Sequence, residues 1–305
     1  MSKLTLGVLV YNQATYVEEL ISSIKEQSDG NFSIVILDNA SRDNSYEQIK
    51  TAIVKFGLQG RTSLMLNPKN TGSAEGLKLL LKLTKTDFLA VAHGDDALHK
   101  DYISRVKVAL ERFPNVTALN VELEGFRLSG EVIETARTYR ALWTRWDWLN
   151  TMLVSGLNPG LMPGSVLNRN EILKKGFLDF PEVVNGVEDS LLWMRINRAG
   201  GSIRTIQDPV YRYRLHQNQF SHKDDRNSYY FGLARKLNIQ EANGLIDAIL
   251  SKAEVTYEIS RFGEDSKYLQ GLSECKNIYW IYSPIRFLNV AMRRLVIFLK
   301  LNFYR

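Results

Sequence analysis

The sequence predicts an α/β protein, a Rossmann-like and mostly parallel sheet flanked by helices, followed by a helical C-terminal extension. Three observations carry that expectation. Apolar runs and amphipathic segments alternate four times within the first hundred of 305 residues, as parallel strands joined by helical crossovers do. Every one of those apolar runs ends on a polar cluster, and in such sheets ligands bind beyond the carboxyl ends of the strands. From Arg226 onward the patterning is helical. The expected division is therefore a domain over 1–222 and a helical region over 223–305.

Leu4 to Val10 is a short apolar run bounded by Asn12, readable as a strand buried on both faces. Thr15 with Glu18 three residues later reads as a capping box, and Val17, Leu20, Ile21 and Ile24 fall on one helical face behind it. Phe32 to Leu37 is the second strand, closed by the turn-rich DNASRDNS. Tyr46, Ile49, Ile53 and Phe56 describe the next helix. LMLN at 64–67 is a third strand, and Ala74, Leu77, Leu80 and Leu81 mark a third helix. Asp87 to Ala92 is the fourth strand and delivers the chain to His93-Gly94-Asp95-Asp96.

A helix over 101–112 and a break at Pro114 follow, then the strand VTALNVELEGF and a hairpin at Ser129-Gly130. Residues 137–165 differ in kind, with Trp143, Trp146 and Trp148 ahead of a Gly/Pro-rich stretch from Asn158 to Ser165. The tryptophans suit either a pyranose face or core packing, since Trp143 and Trp146 stand at helical spacing. The stretch 158–165 is the better candidate for an acceptor loop. A helix at 169–175 comes next, then one from Glu188 to Arg198 capped by Gly200-Gly201, and IRTIQDPVYRYRLH supplies a last strand or two.

The chain is 45% hydrophobic and 24% charged with a net charge of +6. That balance suits a globular protein with an anionic ligand or surface. No Cys/His finger spacing or basic arm points to nucleic acid. One cysteine, Cys275, allows no intrachain disulfide and fits a reducing compartment. The N-terminal apolar run is too short for a signal peptide, and no stretch reaches the ~18 apolar residues of a membrane span. The expected location is cytoplasmic. Residues 277–305, dense in apolar and aromatic side chains with Arg286, Arg293, Arg294 and Lys300 among them, suit the inner face of a membrane as well as a core or dimer helix.

Neither a GxGxxG fingerprint nor a GxxxxGK[ST] phosphate loop follows the first strand. Charge on a phosphorylated ligand must then be met otherwise. Asp95 with Mg²⁺ or Mn²⁺ is the economical answer, because such ions take one or two carboxylates plus phosphate oxygens. An isolated Asp-Asp pair is more often a solvated turn or helix start. At a strand end facing three other polar strand ends, the cation reading is favoured.

In order and spacing, LGVLVYNQATYVEELISSIKEQSDGNFSIVILDNASRDNS, NPKNTGSAEGLKLLL and FLAVAHGDDALHKDY resemble the family-2 inverting glycosyltransferases of GT-A fold, of the bacterial polysaccharide and O-antigen type. Glu188-Asp189 is similar to that family's "ED" motif, and Tyr213-Arg214-Leu215-His216 through Ser221 to its "R-x-H…S" segment. The resemblance implies a hexosyl- or N-acetylhexosaminyltransferase using a nucleotide-diphosphate sugar, UDP-linked, with Mn²⁺ or Mg²⁺. It places Tyr11 against the base, Asn12 at the turn and Asp38 as acceptor from the base. It adds Val10, Asn70, Gly72, His93 and Gly94 to the nucleotide site. Asp95 and His216 are implied on the metal, Asp189 as general base, and Asp96, Glu188 and Gly164 near the acceptor or donor sugar. The departure is His93, where many members carry the first Asp of the D-x-D motif.

The chemistry agrees with the resemblance. A metal screens the leaving diphosphate, and one carboxylate takes the proton of an attacking hydroxyl of a glycan or lipid-linked acceptor. Against Asp189 as base stands a plain role for Glu188-Asp189 in complementing a helix dipole. His216 reads equally as a polar loop residue. Two other functions compete. A sugar nucleotidyltransferase would need a Gly-rich, basic phosphate loop, which YNQATY does not provide. A catalytically inactive nucleotide- or glycan-binding scaffold is hinted at by His93 alone.

Overall fold

The computed structural model describes residues 4–127, 130, 132–136, 162–180, 188–216, 219 and 241. Trp143, Trp146 and Trp148, the loop residues 158–161, Ser129 of the expected hairpin turn, and the segment 277–305 lie outside the described residues. Among the described residues no helix is long and apolar enough to cross a membrane.

The first half alternates as the sequence predicts. β1 (Leu4–Val10), α1 (Val17–Lys25), β2 (Ser33–Asp38), α2 (Ser45–Lys55), β3 (Thr62–Leu66), α3 (Gly72–Leu83) and β4 (Phe88–His93) follow one another, and the four strands pair in parallel in the order β3-β2-β1-β4. Period-two alternation sorts the core to the two faces. Ile34, Ile36, Ala90 and Ala92 join Val17, Leu20, Ile21, Ile24 and Ile49 of α1 and α2 in one buried cluster. Val35, Leu37, Leu89 and Val91 join Leu77, Leu80 and Leu81 of α3 in the other. Burial on both faces is why these strands read as continuous apolar runs.

Past β4 the sheet turns mixed. β5 (Ala97–Leu98), α4 (Tyr102–Arg112), β6 (Ala118–Phe126), β7 (Val132–Ala136), β8 (Val166–Asn168), α5 (Arg169–Lys174), α6 (Glu188–Arg198) and β9 (Ile203–Arg214) complete the described elements. β8 runs antiparallel between β4 and β6, β9 runs parallel to β6, and β5 pairs antiparallel with β9. The expected hairpin is present as the antiparallel pair β6 and β7. The segment expected to supply a last strand or two forms one twelve-residue strand, Ile203–Arg214. Its register with β6 shifts around Glu122, opposite Pro209, which has no amide to donate to the ladder.

Two local readings change. The capping box at Thr15 and Glu18 does not form: the N-cap is Tyr16, with no side-chain cap. The Gln13 carbonyl instead accepts from the amides of Tyr16 and Val17, while the amides of Gln13 and Ala14 donate to Ser45 Oγ and Asp43 Oδ2. The neighbouring loop supplies what a local cap would have supplied. The cap at Gly200-Gly201 does form: the Gly200 amide donates to Asn197 and the Gly201 amide to Ile196, a Schellman arrangement with Gly200 at φ +67°.

Gly164 sits in a buried turn just ahead of β8. Its amide donates to the Val91 carbonyl, its own carbonyl accepts from the Tyr102 hydroxyl, and its φ is +79°. A Cβ there would lie 2.5 Å from Val121 Cγ2 and 2.8 Å from Tyr211 Cγ. Left-handed strain and overpacking add at one position. We expect Gly164→Ala to lose about 3 kcal/mol in chemical denaturation; a change within about 0.5 kcal/mol would mean that the walls formed by Val121 and Tyr211 yield.

Candidate active site

Parallel register brings the strand ends to one edge. Val10 pairs with Asp38, Asp38 with Leu66, and Leu9 with His93. The turn after β1 is set by Asn12, at φ +54°, whose amide donates to Ser41 Oγ and whose side-chain oxygen accepts from the Arg42 amide. The turn after β2 passes through Ala40 at φ +63°. A non-glycine residue there costs free energy and persists only where its surroundings over-determine it. Tyr11 is partly exposed beside this turn.

Asp38 is fully buried. Its Oδ1 accepts from the Ser41 amide at 2.7 Å, and its Oδ2 has no hydrogen-bond partner among the described residues. A buried acceptor left open is expensive. Asn39, beside it, organises the loop after β3. Its amide nitrogen donates to Asn70 Oδ1 and the Gly72 carbonyl, and its oxygen accepts from Asn67 Nδ2. The Gly72 amide donates to Asn70 Oδ1 at 2.8 Å. Asn70 and Gly72 therefore stand at this edge, fixed through Asn39.

The acidic pair divides into two unlike members. Asp96 is fully buried. Its Oδ2 accepts from the Tyr211 hydroxyl at 2.8 Å and its Oδ1 from the Arg214 amide at 2.9 Å. Tyr211 also accepts the His93 amide at 3.2 Å, so one hydroxyl joins the β4 end to β9. Asp95 is only partly buried and its Oδ2 lies 3.0 Å from His216 Nε2. The His216 ring is 4.7 Å from that of Tyr16, and its Nδ1 has no partner among the described residues. Gly94 keeps the turn tight: a Cβ would come 2.5 Å from Gln13 Oε1 and 2.9 Å from Val10 Cγ2.

Arg214 locks this corner. Buried to 1% exposure, its Nε donates to the Asp95 carbonyl at 2.6 Å and its terminal nitrogen to Glu19 at 2.5 Å. Its guanidinium lies over Phe126 and Tyr16, 4.3 and 5.2 Å from the ring centroids. Gln219 donates back to the Arg214 carbonyl.

These contacts push the two carboxyls apart in acidity. Burial drives Asp96 well above the ordinary carboxylate value, and the charge of Asp95 adds to that; the donors Arg214 and Tyr211 oppose it. Burial would raise Asp95 too, but the hydrogen bond from His216 and the nearby imidazoles outweigh it and hold Asp95 low. Burial lowers His93, against the pull of Asp95. Asp95 is thus the ionised carboxylate and Asp96 a structural strut.

Ligand atoms of His93, Asp95 and Asp96 lie within 4.8 Å of one another, close enough for one ion. Both oxygens of Asp96 are engaged, so the donors suited to a cation are His93 and Asp95, with His216 beside Asp95. The residues fit a divalent ion.

Glu188 and Asp189 open α6, which packs by Leu192, Trp193, Met194 and Ile196 against the α3 face of the sheet. Glu188 is buried and Asp189 partly so. Gly164 lies in the buried turn ahead of β8, as described above. A cavity of about 310 Å³ sits elsewhere, lined by Lys175, Phe177, Arg195 and Glu241 among others, and contains none of the sequence-predicted residues. Sequence reasoning placed Asn39 among the polar strand ends and Arg214 in the segment ahead of His216 without giving either a role, and it missed Tyr211, which carried no signal.

Comparison with known proteins follows the same lines. Residues 5–156 match the family described as glycosyl transferase family 2. An uncharacterized glycosyltransferase of Haemophilus influenzae is 23% identical over 87% of this chain and 77% of its own length. The poly(ribitol-phosphate) beta-N-acetylglucosaminyltransferase TarS of Staphylococcus aureus is 21% identical over 70% of this chain, which spans only 35% of that relative. Among solved structures, S. aureus TarS in complex with UDP-GlcNAc superposes with a TM-score of 0.61 at 17% identity, covering 92% of this chain and 73% of the other. The mannosyltransferase PcManGT of Pyrobaculum calidifontis, in complex with GDP-Man and Mn²⁺, gives 0.60 at 16% identity over 99% and 88%.

The split acidities fix a pH response. The folded value of Asp96 lies above the ordinary 3.8, so its contribution to stability is full below that value and is lost as pH rises through the folded one. Asp95, held low, contributes above 3.8 and loses that contribution as pH falls through its folded value. Chemical denaturation of wild type and Asp96→Asn at about pH 4.5 and 8 separates them. The wild type should gain on the variant at the acidic end, and a pH-independent difference would contradict the assignment.

Proposed function

This chain belongs to glycosyl transferase family 2 and has the GT-A fold, and we propose that it performs metal-dependent, inverting transfer from a UDP-linked sugar to a hydroxyl of a glycan or lipid-linked acceptor. The observation that carries this reading is the shared edge. Asp38, with one buried oxygen open, ends β2, and Asp95, held ionised beside His216, lies two residues past the end of β4, on strands that both pair in parallel with β1.

In the proposed mechanism the turn of Val10, Tyr11 and Asn12 receives the nucleotide base, with Tyr11 against its face. Asp38 Oδ2 takes a hydrogen bond from the base, which answers its open valence. Asn70, Gly72 and Gly94 bound the nucleotide, Gly94 because it has no side chain to intrude. Asp95, with His93 and His216 at its flanks, would hold Mn²⁺ or Mg²⁺, which supplies charge neutralisation for the departing diphosphate. Asp189, opening α6, takes the proton from the acceptor hydroxyl as that oxygen attacks the anomeric carbon from the face opposite the diphosphate. A single displacement inverts the configuration and needs no covalent intermediate. Glu188 and Asp96 support the sugar end only indirectly, since both are buried.

Names of similar proteins support the donor class: TarS binds UDP-GlcNAc and PcManGT binds GDP-Man with Mn²⁺. Peripheral attachment to the inner face of the cytoplasmic membrane through 277–305 is part of the proposal, and suits a lipid-linked acceptor.

A panel of sugar nucleotides assayed for metal-dependent donor hydrolysis and transfer tests the reading. With the accepted donor, Asp189→Asn should lower kcat by about 10²- to 10⁴-fold while UDP affinity stays within about twofold. Full turnover in that variant removes Asp189 from the base role. UDP binding without turnover of any donor favours the inactive scaffold.

A further inference from the structure

The donor set around Asp95 carries a consequence for which cation is used. His93 and Asp95 flank a turn held tight by Gly94, where any side chain would run into Gln13 and Val10. The backbone of His93 is fixed because its amide donates to the Tyr211 hydroxyl. That same hydroxyl donates to Asp96 Oδ2, and the Arg214 amide fills Asp96 Oδ1. Turning Asp96 toward an ion would break both bonds inside a fully buried corner. Of the three residues whose ligand atoms converge within 4.8 Å, the two with freedom to bind offer one carboxylate and one imidazole.

That pairing is a poor match to Mg²⁺. Magnesium demands hard oxygen donors in near-ideal octahedral geometry and surrenders its waters reluctantly. Imidazole suits transition ions, whose affinity for nitrogen donors rises from Mn²⁺ toward Co²⁺ and beyond. His216, at 3.0 Å from Asp95 Oδ2, adds a nitrogen that orients the carboxylate from its outer side. We infer that His93 is a direct nitrogen ligand and that it sets this site to select a transition-metal ion, Mn²⁺ or Co²⁺, over Mg²⁺. The inference rests on the glycosyltransferase reading, because the diphosphate of the donor completes the coordination.

The test uses the full chain with UDP, comparing wild type, His93→Asp and His216→Gln. Calorimetry gives the affinities of Mn²⁺, Co²⁺ and Mg²⁺, and pulsed electron paramagnetic resonance on the Mn²⁺ complex reads directly bound nitrogen. Wild type should favour Mn²⁺ over Mg²⁺ at least tenfold more strongly than His93→Asp does. The nitrogen coupling should be present in wild type and His216→Gln and absent in His93→Asp. Thermal melts of the ligand-free proteins check that the variants fold. Mn²⁺ and UDP binding with no nitrogen coupling in wild type, or an unchanged selectivity ratio in His93→Asp, overturns the inference and leaves the transferase reading standing. Failure of wild type to bind any of the three ions with UDP overturns both the inference and the metal dependence.

Discussion

Two carboxylates on adjacent residues repel each other, and a buried one needs partners. The fold meets that constraint at the end of β4 by giving Asp96 to the interior. The Tyr211 hydroxyl and the Arg214 amide saturate it, and its acidity is suppressed. Asp95 is thereby left as the charged member, steadied by His216 and by the Arg214 guanidinium on its carbonyl. Without β9 this division of labour would not exist. The corner ties β4, β9 and α1 together, since Arg214 also reaches Glu19.

The other half of the edge relies on loops that hold one another. Asn12 and Ala40 adopt left-handed backbone, and the hydrogen bonds among Asn12, Ser41, Arg42 and Asp38 keep them there. Asn39 does the same for the loop after β3. Rigidity of this kind pre-organises a site, because the ordering cost is met on folding and not on binding. Within it one buried acceptor, Asp38 Oδ2, has no partner among the described residues.

Family membership and fold set the broad activity; details of donor, acceptor and cation turn on individual side chains. His93 stands where relatives of the resembled type often carry an acid. Its amide is bound to the same tyrosine that holds Asp96, so its side chain is not part of the bonds that keep the corner together.

Period and punctuation in the sequence determined the first half of the fold. Apolar runs buried on both faces, helices with one apolar stripe and polar residues at each strand end depend on local spacing, and the parallel order of β1 to β4 follows from crossover geometry. The same local information pointed to Asp38, Asp95 and His93 as occupants of one edge. Tertiary structure alone decided the rest. The mixed second half of the sheet depends on pairings between residues such as Ala118 and Ile203 or Ala97 and Arg212, which no local pattern encodes. The capping box failed because amides near the start of α1 found partners across the loop, at Ser45 and Asp43. The close approach of Gly164 to Val121 and Tyr211 is likewise a contact between distant segments. Which of two neighbouring aspartates stays charged was settled by a tyrosine and an arginine more than a hundred residues away, because the environment of a charge is a property of space and not of sequence.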